Sequence, residues 1–224
     1  MGASSIFDRG RALAAKPPWM RMPDLDALLT AIRRCRVCVE APRGKPLPHE
    51  PRPVLRASAT ARLAVCGQAP GTRVHQSGTP FTDPSGDRLR DWMGVTQEEF
   101  YDDRRVAIVP MGFCFPGHDA KGGDLPPRRE CAERWHSNLF AALPKVELIL
   151  AVGAHAHAFH LGAARGKTLQ ETMLAWRAHL DAGRRPRIFP LPHPSWRNNA
   201  WLKKNLWFGE ALLPVLRREV RDVL

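Results

Sequence analysis

Four short apolar runs, separated by longer segments of mixed polarity, form the clearest hydrophobic pattern in the chain. Runs of this length between polar stretches are typical of strands that are buried on both faces of a sheet. Since the segments between them show helical periodicity, the strands are expected to be parallel, with helices on both faces. The predicted strands cover residues 62–66, 106–109, 146–152 and 187–191.

The segments between the strands predict the helices. Leu25, Leu28, Leu29 and Ile32 share one helical face, and Asp24 stands before them as a capping residue. The pattern predicts a single-domain α/β fold with three layers (α/β/α) around a central, mainly parallel four-stranded sheet. The predicted helices cover residues 25–34, 87–93, 128–143, 155–161, 169–180 and 200–223.

Two segments lack this periodicity. Residues 1–23 are polar and basic, and are expected to form a mobile N-terminal arm that precedes the folded domain over residues 24–224. Residues 42–53 are rich in proline and charge, which predicts an extended connection on the surface.

The charge of the chain narrows the choice of partner. With 34 Lys and Arg against 22 Asp and Glu, the formal net charge is +12 at pH 7. Such a surface attracts polyanions, so nucleic acid is the first partner to consider, with acidic proteins and membrane surfaces as alternatives. No apolar run approaches the roughly 20 residues needed to cross a bilayer, and the N-terminal stretch lacks the apolar segment of a signal peptide. The expected location is the cytoplasm.

Each predicted strand is followed by a segment suited to ligand binding. In open α/β sheets, ligands bind beyond the carboxyl ends of the strands, so these segments are expected to converge on one site. The segments are residues 67–71, 111–117, 153–155 and 193–197.

The first of these segments is the most informative. Gly67-Gln68-Ala69-Pro70-Gly71 is a tight turn whose glycines let the backbone approach a ligand closely. Phe81 and Asp83 follow, and an aromatic face beside a carboxylate suits a flat, polar ligand. An ordinary strand-to-helix turn with a polar loop after it is the alternative.

Five cysteines, an odd number, argue against a disulfide framework. Cys35 and Cys38 form a Cys-x-x-Cys pair, and Cys114 and Cys131 are two further candidate ligands. Four thiolates satisfy either a tetrahedral zinc or a four-iron cluster, and spacing alone does not choose between these or exclude unligated thiols. Cys66 lies inside a predicted strand and is expected to be a small buried apolar residue.

The segment after the fourth strand carries a second group of candidate residues. His193 precedes a rigid proline turn and is placed to donate a hydrogen bond to a ligand carbonyl, although a structural role is the alternative. Trp196 and Arg197 are able to stack on a base or wedge into a duplex. Ser195 is able to bond a phosphate, and Lys203 opens a basic helix.

Together these motifs resemble the uracil-DNA glycosylase superfamily, and in particular its iron-sulfur families four and five. Gly67-Gln68-Ala69-Pro70-Gly71 is similar to the first motif of that superfamily, and His193-Pro194-Ser195 is similar to the second. The resemblance covers about residues 25 to 215. The four cysteines fall close to the cluster ligands of families four and five, which implies a structural 4Fe-4S cluster held by Cys35, Cys38, Cys114 and Cys131, with zinc as the alternative.

The resemblance implies an enzyme that flips uracil out of DNA and hydrolyses its N-glycosidic bond. Phe81 matches the residue that stacks on the base, and His193 matches the donor to the uracil carbonyl. The first motif, with Gly67, Ala69, Pro70 and Gly71, would border the base. No lysine stands in either motif, so a monofunctional enzyme is expected, and a monomer is sufficient to bind one lesion.

The chain departs from its relatives at the carboxylate of the first motif. Families one and four have Asp or Glu there, whereas this chain has Gln68, which orients water but does not accept its proton. Family five places an aspartate before Ser-Gly in the next loop, and Asp83 fits that pattern as base or cation stabiliser. A turn residue before proline is the alternative for Asp83, and Asp87 is the fallback carboxylate.

A second departure concerns base selection. Families four and five carry an asparagine shortly before the third cysteine, and residues 109–114 contain none. Backbone groups of Met111 and Gly112 are the candidate readers of the base. Two alternatives therefore stay open: a broader glycosylase for hypoxanthine or xanthine, and a non-catalytic, metal-containing DNA-binding module.

Overall fold

Four parallel strands form one sheet in the computed structural model of the chain, which describes residues 24–224. The spatial order is β2-β1-β3-β4, and each neighbouring pair is parallel. The sheet confirms the α/β fold predicted from the apolar runs, and the predicted arm over residues 1–23 lies outside the described residues. The strands are β1 (Leu63–Cys66), β2 (Val106–Ile108), β3 (Leu148–Val152) and β4 (Arg187–Leu191).

The helices depart from the predicted set in three places. Three short helices, Val37–Glu40, Thr72–Ser77 and Gln97–Tyr101, were not predicted, because short helices leave little periodicity in a sequence. The predicted helix over residues 169–180 is divided into two, and the predicted helix over residues 200–223 is interrupted by a π-helical segment, Phe208–Leu212. Between residues 24 and 224, no helix is long and apolar enough to span a membrane. The helices are α1 (Leu25–Arg33), α2 (Val37–Glu40), α3 (Thr72–Ser77), α4 (Pro84–Met93), α5 (Gln97–Tyr101), α6 (Arg129–Ala141), α7 (Ala154–His160), α8 (Leu169–Leu174), α9 (Trp176–Leu180), α10 (Asn199–Lys204) and α11 (Leu213–Val223).

Helices cover both faces of the sheet and form two apolar layers. Side chains of β1 alternate between them: Leu63 and Val65 pack with α4, α5 and α11, whereas Ala64 and Cys66 pack with α1, α6 and α7. Cys66 is fully buried, as its place inside a strand predicted.

The segment over residues 42–53 is not only a surface connection. Leu47 is 6% exposed and packs with Cys38 and Cys114, and Pro51 and Pro53 line the cavity next to these cysteines. The prediction of a surface segment was wrong at Leu47. A proline-rich composition predicts an extended backbone, but it does not show whether one apolar side chain within the segment is buried.

Three histidines, of which His136 and His157 are buried and His160 is partly buried, make the fold sensitive to acid. Burial lowers the pKa of His136 to about 4, of His157 to about 4 and of His160 to about 3. These imidazoles are neutral in the folded protein, whereas an unfolded histidine gains its proton near pH 6.5. The unfolded state therefore binds more protons below pH 6.5, so the stabilisation is complete above that pH and is lost as pH falls toward 4.

Replacement of His136 by Phe is expected to reduce this acid sensitivity, because His136 stacks on Phe113 and a phenyl ring preserves that packing. Between pH 7.5 and pH 5, the free energy of unfolding should fall by about 2 kcal/mol less in His136→Phe than in the wild type. Urea unfolding at the two pH values measures the difference. Equal losses in both proteins would contradict a neutral buried imidazole at position 136.

Candidate active site at the carboxyl edge of the sheet

Two adjoining cavities lie at the carboxyl edge of the sheet, where the sequence predicted a site. Phe81 and Gly67 line the inner cavity, and Trp196 and Arg197 line the outer one. Segments after all four strands contribute to the lining, which confirms the expected convergence. Seven residues line both cavities: Gln68, Ala69, Pro70, Asp83, Ser85, Asp124 and His193.

The glycines of the turn after β1 leave room for neighbouring side chains. A Cβ atom on Gly67 would lie 3.1 Å from Cζ of Phe81. A Cβ atom on Gly71 would lie 3.3 Å from Oδ2 of Asp124. The turn therefore accommodates an aromatic ring at one end and a carboxylate at the other.

Phe81 has an unusual backbone that fixes the wall of the inner cavity. Its φ is 57°, in the left-handed region that bulky residues rarely adopt. Tyr101 Oη donates to the Phe81 carbonyl at 3.1 Å, and Arg90 Nη1 donates to the same oxygen at 3.2 Å. Phe100 packs edge-on against the ring, with centroids 5.8 Å apart. These three supports were not predicted, since nothing in a local pattern pairs them with Phe81.

Asp83 has two roles in the structure. It caps α4, where its Oδ1 accepts the Gly86 N–H at 3.3 Å, and it also lines both cavities. Asp83 is therefore both a turn residue before proline and a residue that lines the pocket. The cap uses its Oδ1 and leaves its Oδ2 available. The fallback residue, Asp87, is 78% exposed in its side chain, pairs with Arg90 and lines neither cavity.

His193 is held as a neutral donor. Its Nδ1 accepts the Ser195 N–H at 3.2 Å, so in the neutral ring the proton is on Nε2. Burial lowers the pKa of His193, and Arg197 also lowers it, whereas Asp83 and Asp124 oppose the shift. Asn198 Nδ2 donates to the His193 carbonyl at 2.7 Å and fixes the loop. An Nε2–H group is therefore present near pH 7 in a residue that lines both cavities.

Gln68 packs in the same region. Its Nε2 lies 3.0 Å from the position of a Cβ on Gly153, whose φ of 86° requires glycine. The carbonyls of Gly67 and Gln68 accept the N–H groups of Met111 and Gly112 at 3.0 and 2.9 Å. Neither Met111 nor Gly112 lines the two cavities, and their N–H groups are already bonded to the turn after β1, so these two N–H groups are not free to read a base.

The rim of the outer cavity carries the residues with candidate roles in DNA binding. Trp196 is 72% exposed, and the Arg197 guanidinium lies 5.8 Å from its ring centroid. Ser195 lines the same cavity, and Leu125 adds a second apolar side chain that is 40% exposed. Lys203 lies on α10, exposed and outside the cavity lining.

Asp124 is a pocket residue that sequence reasoning missed. Its carboxylate lies beside His118, with Nδ1 and Oδ1 3.2 Å apart, and His118 Nε2 is 3.0 Å from the Thr72 hydroxyl. The contact joins segments 46 residues apart. The sequence offered no signal for it beyond an aspartate in a glycine-rich loop.

The four predicted ligand cysteines line one separate cavity. Two N–H groups point at their sulfurs: Phe113 N donates to Cys131 Sγ at 3.3 Å, and Trp135 Nε1 donates to Cys35 Sγ at 3.4 Å. Burial raises the pKa of Cys38, of Cys131 and, to about 12, of Cys114. None of the residues that line this cavity lines the two cavities at the carboxyl edge of the sheet.

Over residues 24–224, no group of three or more His, Cys, Asp or Glu side chains is arranged to hold a metal ion. The four cysteines nevertheless line one cavity, and the choice between zinc and a four-iron cluster remains a prediction.

Ligands of open α/β sheets bind beyond the carboxyl ends of the strands, and the pocket there holds a neutral imidazole donor, two carboxylates and one arginine. The family model of the uracil DNA glycosylase superfamily matches residues 55–217. The chain therefore belongs to this superfamily, whose members are DNA glycosylases, hydrolases that act in DNA repair. The match includes both motifs, Cys114 and Cys131, and leaves Cys35 and Cys38 outside.

Gly86→Ala is expected to disturb the pocket, because a Cβ at that position would overlap the carbonyl oxygen of Phe81. A loss of about 1–3 kcal/mol in the free energy of unfolding is expected for such overpacking, measured by urea unfolding. Gly209→Ala is the matched control, since a Cβ there meets nothing within 4 Å. A Gly86→Ala protein as stable as the control would contradict the described contact.

Proposed function

We propose that the protein excises uracil from DNA, hydrolysing the N-glycosidic bond of a flipped nucleotide and leaving an abasic site. The observation that carries the proposal is His193, which presents an Nε2–H donor beside the wall formed by Phe81. A flat base that stacks on Phe81 would place a ring carbonyl against this donor. Family membership supplies the reaction class, and the pocket supports its chemistry.

The donor acts where charge develops. When the bond from C1′ to the base nitrogen breaks, its electron pair stays on the base, and negative charge spreads to the base carbonyls. A neutral Nε2–H stabilises this charge, and a preorganised donor of this kind is worth on the order of 10²–10³ in rate. Because Nδ1 already accepts the Ser195 N–H, the ring has no competing tautomer with comparable bonding.

The sugar develops positive charge, which a carboxylate stabilises. Asp83 lines both cavities and is our proposed cation stabiliser, while the Gln68 amide orients the attacking water. In the described part of the chain, no lysine lines either cavity. A lyase step needs an amine nucleophile, so the proposed enzyme is monofunctional.

The rim is proposed to bind the DNA backbone and to fill the space left by the flipped nucleotide. Trp196 is exposed enough to enter the base stack. Arg197 and Ser195 lie beside it and would contact phosphates, and Lys203 would contact a phosphate farther along the DNA strand. One chain is sufficient to bind one lesion, so the proposed active form is a monomer.

A broader deaminated-base glycosylase is the second candidate. Within the described residues, no asparagine lines the inner cavity, so the side chain that reads the edge of uracil in families four and five has no counterpart there. Hypoxanthine and xanthine also present a carbonyl beside a ring N–H, which His193 is able to bind in the same way.

Excision from uracil-containing oligonucleotides, single- and double-stranded, tests the proposal. The wild type should produce alkali-labile abasic sites, and His193→Ala should lower the single-turnover rate by about 10²–10³. Hypoxanthine- and xanthine-containing oligonucleotides run in parallel: comparable rates would favour the broader enzyme. Salt-sensitive DNA binding without release of any base would reject catalysis and favour a DNA-binding module.

We further propose that Cys35, Cys38, Cys114 and Cys131 hold a structural 4Fe-4S cluster. Their shared cavity and the N–H groups that point at Cys131 and Cys35 fit a cluster held by four thiolates, and zinc is the alternative ion that four thiolates would bind. The cluster would tie α2 to α6 and to the segment after β2. Hydrolysis transfers no electrons, so the proposed role is stabilisation.

Iron analysis of protein purified without oxygen should give about four irons per chain. Cys131→Ala should lose the iron and lower the midpoint of thermal unfolding. Cys66→Ala is the matched control, because Cys66 is buried in the sheet away from the cavity and should keep its iron. Stoichiometric zinc, or iron retained in Cys131→Ala, would reject the cluster assignment.

A further inference from the structure

The loop between β2 and α6 holds Asp124 in a defined position. A tight turn forms where Asp119 Oδ1 accepts the N–H groups of Lys121 and Gly123 at 2.8 and 2.9 Å. An antiparallel bridge pairs His118 with Asp124 just beyond this turn. The loop is thus closed by its own backbone and presents Asp124 to the pocket.

The carboxylate of Asp124 is oriented from one side only. Its Oδ1 faces His118 Nδ1 at 3.2 Å, and His118 is anchored through Nε2 to Thr72, the first residue of α3. Its Oδ2 lies 3.3 Å from the position of a Cβ on Gly71 and, among the described residues, is engaged by no hydrogen bond. One oxygen is therefore positioned and the other remains available.

On the proposed function, the two cavities suggest where the scissile bond would lie. A flipped base stacked on Phe81 would occupy the inner cavity, while its sugar and phosphates would stay toward the rim with Trp196 and Arg197. The residues that line both cavities border the boundary between base and sugar. Two of those seven residues are carboxylates, Asp83 and Asp124, and both face His193 closely enough to oppose the shift of its pKa.

We infer that Asp124 is a second catalytic carboxylate, which acts with Asp83 on the sugar cation and the attacking water; the inference rests on the proposed glycosylase function. As the bond from C1′ to the base breaks, the electron pair leaves with the base, and the positive charge on the sugar faces both carboxylates. A water oxygen then bonds to C1′, and its proton passes to a carboxylate and on to solvent. The base anion takes a proton from solvent.

A second carboxylate would explain how the enzyme works with Gln68 at the position where families one and four have Asp or Glu. The first motif has no carboxylate, and Asp83 uses Oδ1 to cap α4, so one free carboxylate oxygen would otherwise face the cation. Asp124 belongs to the loop between β2 and α6, and its Oδ2 lies beside Gly71, the last residue of the same motif. The negative charge absent from position 68 is supplied by a residue 56 positions farther along the chain, from Gln68 to Asp124.

The test compares Asp124→Asn, Asp83→Asn and the double variant in single-turnover excision of uracil. Asp124→Asn is expected to lower the rate by about 10²-fold, and the double variant should fall below either single variant. Affinity for DNA that contains non-cleavable 2′-fluoro-deoxyuridine should be unchanged or tighter, because a negative charge near the phosphates is removed. Asp222→Asn is the control, since Asp222 is an exposed aspartate on α11 that lines neither cavity.

The outcomes separate the two proposals. A wild type that excises uracil with an Asp124→Asn variant within about twofold of its rate would overturn the assignment of Asp124 and leave the glycosylase function intact. Parallel losses of rate and affinity in Asp124→Asn would also overturn it, because they would indicate a structural role. A wild type that releases no base would reject the glycosylase function, and the assignment with it.

Discussion

The close approach of Phe81 to two glycines is the constraint on which the pocket depends. The ring lies against Gly67, and the carbonyl of Phe81 occupies the space where Gly86 has no side chain. A left-handed phenylalanine costs about 1–3 kcal/mol, and hydrogen bonds from Tyr101 and Arg90 to its carbonyl offset that cost. The strain is local, whereas its supports come from α4 and α5. The aromatic wall is therefore fixed by the packing of two helices and not by the loop that carries it.

The segment after β2 connects this pocket to the cysteine cavity. Pro110 lines the inner cavity, and Gly112 and Cys114 line the cysteine cavity. Between them, the N–H groups of Met111 and Gly112 bond to the carbonyls of Gly67 and Gln68. These two hydrogen bonds connect the cysteine cavity to the turn that carries Gln68. The proposed cluster would therefore stabilise that turn without lining the pocket.

The sequence predicted the parts of the molecule whose signals are local. Apolar runs identified the four strands because buried strands are continuous in hydrophobicity, and the segments after them identified the edge where ligands bind. The short motifs placed Gln68 and His193 after two strands, and the loop after the first motif placed Phe81 and Asp83 near them. All four residues line the cavities, whereas their roles in catalysis stay predictions.

Features that depend on contacts between distant segments were missed. The hydrogen bond from Tyr101 to Phe81 spans 20 positions, and the contact between Thr72 and His118 spans 46. No periodicity links such residues, so Asp124 could not be distinguished from an ordinary loop aspartate. Leu47 was misplaced for a related reason, since only the folded chain brings Cys38 and Cys114 against it.

The acidic pocket in a basic protein follows from the chemistry of the proposed reaction. A net charge of +12 attracts DNA, and phosphates favour the basic rim beside Arg197. Carboxylates near that rim weaken ground-state binding of the same phosphates. Charge on the sugar appears only as the glycosidic bond breaks, so Asp83 and Asp124 would interact more strongly with the transition state than with the bound substrate. The basic groups of the surface would therefore bind the DNA, whereas the two carboxylates would stabilise the transition state in which the glycosidic bond breaks.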